Sequence, residues 1–91
     1  MSFELRYTTE ANENLIRLSK NDPKAFQKAL TLLAELQEHP RTGTGHPEQL
    51  SGDMAGCWSR RITKKHRLVY EIHDTEVIVL VLSAYGHYRD K

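Results

Sequence analysis

Hydrophobic residues occur at two different spacings in the first part of the chain. Phe3, Leu5 and Tyr7 alternate with polar residues, which predicts a strand with one buried face. The two threonines that follow can cap a helix, and residues 10–20 then carry apolar side chains at helical spacing. This stripe consists of Ala11, Leu15 and Leu18, with Ile16 beside it. A strand followed by an amphipathic helix is therefore expected.

A second and longer helix follows a short break in this pattern. Asp22 is placed to cap its first turn, and Pro23 is placed to be its first residue. The His39-Pro40 pair is expected to end the helix. Its apolar face is formed by Ala25, Phe26, Ala29, Leu30, Leu33 and Leu36. The two helices are expected to lie antiparallel, joined by a short turn.

The second half of the chain predicts strands. Apolar and polar positions alternate between residues 57 and 72, with a turn at Thr63-Lys64-Lys65. In the first strand, one face is expected to carry Trp58, Arg60 and Ile62, and the other face Cys57, Ser59 and Arg61. In the second strand, Leu68, Tyr70 and Ile72 alternate with Arg67, Val69 and Glu71. Residues 76–83 contain the apolar run VIVLVL, which is typical of a strand covered on both faces, and this run is expected to be the central strand. The glycine-rich residues 41–56 predict a loop with one short strand.

This order of elements predicts an α+β fold in a single domain of residues 1–91, with the two helices packed on one face of a small, mostly antiparallel sheet. The opposite face of the sheet is then free. Arg61, Arg67 and one of the two lysines, Lys64 or Lys65, are expected to line it or its rim. A concave cationic surface of this kind suits a phosphodiester backbone.

Charge and composition narrow the possible functions. The net charge is only +1, so attraction to nucleic acid must come from local clustering, and five cationic side chains do cluster between residues 60 and 67. Taken alone, such a charge run is more often a solvated basic hairpin than a binding surface. The single cysteine, Cys57, excludes an internal disulfide and a multi-cysteine zinc site. No apolar run reaches the length of a membrane span, and no signal peptide is recognisable, which predicts a cytoplasmic protein.

Three segments together resemble the YoeB family of bacterial toxins, which are ribosome-dependent mRNA endonucleases of the RelE superfamily. These segments are GHPEQL, then GCWSRRITKKHRLVYEI, and GHY near the C-terminus. The resemblance covers the whole chain in element order and about the last fifty residues in motif. It implies a RelE-like form of the α+β fold and an enzyme that needs no cofactor and no metal.

The resemblance also implies a role for each residue of a candidate active site. Cleavage of RNA without a metal requires a base for the ribose 2′-hydroxyl, a cation for the transition state and an acid for the leaving 5′-oxygen. The family's glutamate corresponds to Glu48, its arginine to Arg67 and its histidine to His87. RNA contacts are predicted for Arg60, Arg61, Lys64, Lys65 and Tyr88. A family lysine shortly after the glutamate is replaced by Ser51 here, and Arg89-Asp90-Lys91 extend the chain beyond the usual end.

Partners and alternatives follow from the same resemblance. The partners it implies are a YefM-like antitoxin, the decoding A site of the ribosome with its mRNA, and a second copy of the chain in a homodimer. It implies no association with a membrane. A non-catalytic inhibitor on the same fold, like the ParE toxins that bind gyrase, would not need the Glu48, Arg67 and His87 set. A nucleic-acid-binding regulator would need only the basic hairpin. These two classes remain the alternatives to a ribonuclease.

Overall fold

The computed structural model describes residues 2–86 of the chain. Within them, two helices and five strands form two layers, as the α+β prediction required. The helices are α1 (Thr9–Asn21) and α2 (Pro23–Glu38), and the strands are β1 (Glu4–Tyr7), β2 (Glu48–Gln49), β3 (Trp58–Arg61), β4 (Arg67–His73) and β5 (Ile78–Ser83). A short 3-10 helix at Gly52–Met54 lies between β2 and β3.

Both helices begin where the sequence predicts. The Thr8 hydroxyl accepts a hydrogen bond from the Ala11 backbone N–H at 3.0 Å, which caps α1. Asp22 Oδ1 accepts from the Ala25 N–H at 3.2 Å and caps α2, whose first residue is Pro23. The proline costs nothing there because the first N–H groups of a helix have no intrahelical partner. These local bonds confirm the predicted helical hairpin.

The sheet has the strand order β1-β5-β4-β3-β2. Only the β1–β5 pair is parallel, so the sheet is mostly antiparallel, as predicted. The central position belongs to β4, and the prediction that the VIVLVL run forms the central strand was wrong. The prediction that both faces of this run are covered was also wrong: Val79 and Val81 are fully buried beneath the helices, whereas Leu80 on the other face is only partly buried.

The main core lies between the helices and the inner face of the sheet. Its sheet side includes Leu68, Tyr70, Val79 and Val81, all with no exposed surface. Its helical side consists of Ala11, Leu18, Ala25, Ala29, Leu32, Leu33 and Leu36. Removing this apolar surface from water is the main force that holds the two layers together.

The outer face of the sheet is covered at one place. The loop between β2 and β3 packs Leu50 and Cys57 against Val69 of β4, with Met54 and Leu82 at the margin. The sequence predicted that the outer face is free, but this loop covers part of it. Along β3, this small apolar cluster lies near the end where the strand begins, and Arg61 and Arg67 lie at the other end, where β3 stops and β4 starts.

Arg60 points into the molecule and has no exposed surface. The prediction that Arg60 contacts RNA is therefore corrected: it is a structural residue. The alternation along β3 turns it to the same side as Trp58, toward the helices. Its guanidinium donates to Glu35 Oε1 at 2.8 Å and to the Tyr70 hydroxyl at 3.1 Å, so the buried charge is paired and hydrogen-bonded.

The same guanidinium organises the loop that leads into β2. It donates to the backbone carbonyls of His39, Thr42 and Thr44. The Tyr70 hydroxyl donates to a fourth carbonyl, that of Pro40, at 2.8 Å. Carbonyl groups of a loop need such partners when they are buried. Arg60 therefore fixes residues 39–44 against α2 and the sheet.

Neither helix within residues 2–86 combines the length and the apolar character that a bilayer crossing requires.

The contact between Glu35 and Arg60 predicts a pH-dependent stability. Hydrogen bonds from the Thr44 hydroxyl and backbone N–H, at 2.7 and 2.9 Å, and from Arg60 lower the pKa of Glu35. A carboxyl whose pKa is lower in the folded state stabilises the fold at neutral pH, and this contribution is lost as the pH falls through the folded-state pKa. Glu35→Gln should therefore reduce the free energy of unfolding by about 1–3 kcal/mol at pH 7.

Chemical denaturation of both proteins between pH 7 and pH 3 measures this difference, which should shrink toward low pH as the wild-type carboxyl becomes protonated. Glu38→Gln is the matched control, since Glu38 is exposed on the same helix. Equal losses from the two substitutions, or a Glu35→Gln loss that does not change with pH, would contradict the role given to this carboxylate.

Candidate functional site

Glu48 occupies the edge strand β2, which is only two residues long. It lies opposite Ser59 of β3, so both side chains point to the outer face of the sheet. Two further backbone bonds hold the strand in place: Arg61 N–H donates to the Gly45 carbonyl at 2.7 Å, and Leu50 N–H donates to the Cys57 carbonyl at 2.9 Å. Glu48 is exposed, and within residues 2–86 its carboxylate takes part in no salt bridge.

Arg61 and Arg67 form a cross-strand pair on the same outer face. Residues directly opposite each other in an antiparallel pair have Cβ atoms about 4.5–5.5 Å apart, and like charges at this position are destabilising. The pair sits at the last positions of the β3–β4 ladder, next to the turn. This end of the outer face therefore concentrates positive charge at some cost to the sheet.

Arg67 is held by its backbone and keeps part of its side chain unpaired. Its N–H donates to the Gly86 carbonyl at 2.9 Å. Its side chain is half-buried, and the Nε atom is buried without a hydrogen-bond partner among the described residues. A buried donor without an acceptor is costly, and such groups in a folded protein often mark a place where a ligand binds.

The strand register gives the spacing of these three side chains. Glu48 is one strand and two residues away from Arg61, a diagonal separation of about 7–8 Å. Glu48 is two strands and two residues away from Arg67, which corresponds to about 12 Å between Cα atoms. All three side chains are long, so a carboxylate and two guanidinium groups border one shallow area of the outer face. Such an area can accept a proton on one side and neutralise an anion on the other.

Lys64 and Lys65 lie in the exposed turn between β3 and β4. The Thr63 hydroxyl shapes this turn, because it accepts hydrogen bonds from the backbone N–H groups of Lys65 and His66 at 3.1 and 3.2 Å. The salt bridges within residues 2–86 involve other cations, namely Arg6, Arg41, Arg60 and His73. The two lysines and the two outward arginines take part in none of these salt bridges.

Two predicted site residues, His87 and Tyr88, lie outside the described residues. The segment that leads to them is described as far as Gly86, which is hydrogen-bonded to Arg67. No cluster of three or more His, Cys, Asp or Glu side chains that could hold a metal ion occurs within residues 2–86.

His66, which directly precedes Arg67, makes specific contacts with the segment after β5. It is buried, and its Nδ1 atom accepts a hydrogen bond from the Gly86 N–H at 2.9 Å. Its ring lies 4.5 Å from the Tyr85 ring. The only sequence signal for this role is its position next to Arg67, since the partner is twenty residues away.

Comparison with known proteins supports one family throughout. A family model for YoeB-like toxins of bacterial type II toxin-antitoxin systems matches residues 7–88. The toxin YoeB of Streptomyces coelicolor is 34% identical over 76 residues, which cover 84% of this chain and 90% of that protein.

Solved structures agree with this result. A YoeB/ParE toxin from Agrobacterium tumefaciens has a TM-score of 0.87 and 34% identity. The comparison covers 94% of this chain and 100% of that one. The YoeB of Staphylococcus aureus, solved as a dimer and in complex with YefM, has TM-scores of 0.82 and 0.80 at 29% identity, and 97% of this chain and 100% of that one are covered in each comparison. The chain therefore belongs to the family of YoeB-like toxins of bacterial type II toxin-antitoxin systems.

Proposed function

We propose that this toxin is an endoribonuclease that cuts mRNA in the decoding A site of the ribosome, without a metal or cofactor. Glu48 acts as general base, Arg67 stabilises the transition state and His87 acts as general acid. The observation that carries the proposal is the opposed pair Arg61 and Arg67 on the outer face, two residues along the sheet from the row of Glu48. A like-charge pair is a poor choice for stability, and a bound phosphodiester would relieve its repulsion.

The proposed reaction transfers the phosphoryl group within the RNA. Glu48 removes the proton from the ribose 2′-hydroxyl, whose oxygen attacks the adjacent phosphorus, and the bond from phosphorus to the 5′-oxygen breaks. His87 gives a proton to that departing oxygen. The products are a 2′,3′-cyclic phosphate and a 5′-hydroxyl. Exposure of Glu48 on an edge strand supports its role, because the ribose must reach the carboxylate directly.

Arg67 suits the stabilisation of a phosphorane better than the other cations. Its backbone and the buried part of its side chain fix its direction, whereas the two lysines lie in an exposed turn. A positioned guanidinium can donate two parallel hydrogen bonds to phosphate oxygens. Preorganised charge of this kind needs no rearrangement during the reaction.

Arg61, Lys64 and Lys65 are proposed to bind the RNA backbone and to set its position. They are exposed and take part in none of the salt bridges found within residues 2–86, as suits phosphate-binding groups. Tyr88 is proposed to stack on a base or to support His87. A gyrase inhibitor like ParE, or a regulator that only binds nucleic acid, would be indifferent to loss of the Glu48 carboxylate, which is the basis of the first experiment below.

The proposed protein partner is a YefM-like antitoxin. The YoeB of Staphylococcus aureus has been solved with YefM and also as a dimer. An acidic C-terminal segment of the antitoxin would cover the same unpaired cations and thereby prevent RNA binding. A homodimer of this toxin is proposed by the same analogy.

Replacement of the base separates chemistry from binding. Glu48→Gln preserves size and most hydrogen bonding but cannot accept the proton, so the cleavage rate should fall by about 10²–10⁴-fold. Primer extension on translated mRNA measures the cuts, and co-purification measures binding to ribosomes, which should persist. Glu76→Gln, in the exposed turn between β4 and β5, is the matched control and should cut normally. If the Glu48→Gln variant were as toxic as the wild type, a residue other than Glu48 would have to act as the general base.

The turn lysines should control salt dependence. In the cleavage-inactive Glu48→Gln background, Lys64→Gln or Lys65→Gln should lower the slope of log K against log salt by about 0.7–1 for short single-stranded RNA, because each removes one phosphate contact. Fluorescence anisotropy at several salt concentrations measures this slope. Lys24→Gln on exposed α2 is the control, since that helix covers the opposite face of the sheet. An unchanged slope in both lysine variants would show that the turn is not part of the RNA-binding surface.

A substrate change tests the nucleophile itself. Replacement of the 2′-hydroxyl by hydrogen on the nucleotide before the cut should abolish cleavage while the RNA still binds, since the attacking oxygen is missing. The same replacement one nucleotide later should leave cleavage intact and is the control. Mass spectrometry of products from unmodified RNA should show a 2′,3′-cyclic phosphate and a 5′-hydroxyl. Normal cleavage of the first substrate, with a 5′-phosphate product, would indicate attack by water instead.

A further inference from the structure

The segment after β5 is anchored to helix α1. The Ala84 N–H donates to Asn14 Oδ1 at 2.8 Å. The Tyr85 ring lies beneath the guanidinium of Arg17, with 4.2 Å from Cζ to the ring centroid, and the Tyr85 hydroxyl accepts a hydrogen bond from Asn21 Nδ2 at 3.4 Å. Cation–π contacts of this length are attractive. Successive residues of the segment are thus held to one helix.

Gly86 is held from the other side by two consecutive residues at the start of β4. Its N–H donates to His66 Nδ1 at 2.9 Å, and its carbonyl accepts from the Arg67 N–H at 2.9 Å. Because an N–H donates to Nδ1, this atom presents its lone pair and the ring proton resides on Nε2. Both polar backbone groups of Gly86 are therefore fixed by His66 and Arg67, and we name this arrangement the Gly86 clasp.

The chain turns sharply inside the Gly86 clasp. Gly86 has φ +71°, in the left-handed region, and a Cβ built there would meet no atom of residues 2–86 within 4 Å. The glycine thus serves the turn of the backbone and not a close contact. His87 is the next residue in the chain.

We propose that His66 is a positioning residue for RNA cleavage, which holds the N–H of Gly86, the residue that directly precedes the proposed acid His87 in the chain. This inference rests on the proposed function, in which His87 is the acid and Arg67 the stabilising cation. The Gly86 clasp connects these two residues, because Gly86 precedes His87 in the chain and the Arg67 backbone N–H donates one of the two hydrogen bonds that hold Gly86. His66 is buried, so its proposed effect on the reaction passes through its hydrogen bond to Gly86 and not through contact with the RNA.

Such a role affects catalysis more than binding. Proton transfer to the leaving oxygen requires the acid within hydrogen-bond reach, and a displacement of about 1 Å can cost about 10²-fold in rate. The cations proposed to bind RNA lie elsewhere, in the turn and on the outer face, and do not depend on the Gly86 N–H. Loss of the His66 acceptor should therefore lower kcat and leave KM unchanged.

His66→Asn and His66→Leu form a matched pair that tests the inference. The two side chains have the same size, but only asparagine keeps an acceptor close to the position of Nδ1. With purified toxin and ribosomes programmed with mRNA, His66→Leu should lower kcat by about 10²-fold at unchanged KM, and His66→Asn should restore most of the rate. His66→Gln, which places its acceptor one bond farther out, should behave like His66→Leu and takes its place if the leucine variant does not fold.

Hydrogen exchange of the Gly86 amide, followed by NMR, gives a readout that does not depend on cleavage. It should be slow in the wild type and in His66→Asn and fast in His66→Leu or His66→Gln. A wild-type kcat in His66→Leu, a failure of His66→Asn to rescue, or a protected Gly86 amide in a slow variant would overturn the inference. A wild-type toxin that cuts no RNA would overturn the proposed function and this inference with it, and the exchange measurement would then show whether the clasp itself exists.

Discussion

The alternation of side chains along β3 gives two consecutive arginines opposite surroundings. Arg60 points inward and meets Glu35, Tyr70 and three loop carbonyls, while Arg61 points outward and faces Arg67. A slip of one residue that moves Ser59 into the place of Arg60 would turn Arg60 outward, bury Arg61 in the place of Ile62 and leave the loop acceptors without a donor. An unpaired buried charge costs several kcal/mol, typically about 3–5. The Arg60 contacts therefore oppose that slip and help to fix the register of β3, and with it the rows that contain Glu48 and Arg67.

Local features of the fold were predictable from the sequence because they depend on neighbours in the chain. The caps of α1 and α2 join residues three positions apart, Thr8 with Ala11 and Asp22 with Ala25. The inward direction of Arg60 was also predictable from alternation with Trp58. Its partners were not, since Glu35 lies 25 residues away and the carbonyls belong to a loop without a periodic pattern. Without those partners, an arginine in a basic run was assigned to RNA.

The strand order and the Gly86 clasp depend on contacts between residues far apart in the chain, more than the helix caps do. The VIVLVL run is as apolar as a strand covered on both faces, but on its outer face Leu82 packs against the small cluster around Val69 and Leu80 is only partly buried. Periodicity shows how apolar a strand is and does not show which strands lie beside it. In the same way, His66 reads as an ordinary histidine until the fold brings Gly86 against it. For the candidate site, the family motif supplied Glu48 and Arg67, and the register adds that both lie on the outer face.

Several features that weaken an isolated protein occur together at one end of the sheet. They are the opposed arginines, a buried Nε without a partner within residues 2–86, and an edge strand of two residues. Sequences normally avoid such local conflicts except where a function requires them. A polyanion would relieve the first two, because it would separate the guanidinium charges and supply an acceptor. Under the proposed function, RNA and the acidic segment of an antitoxin both meet this description. They would then compete for one set of charges, so that inhibition of the toxin requires no conformational change in the toxin itself.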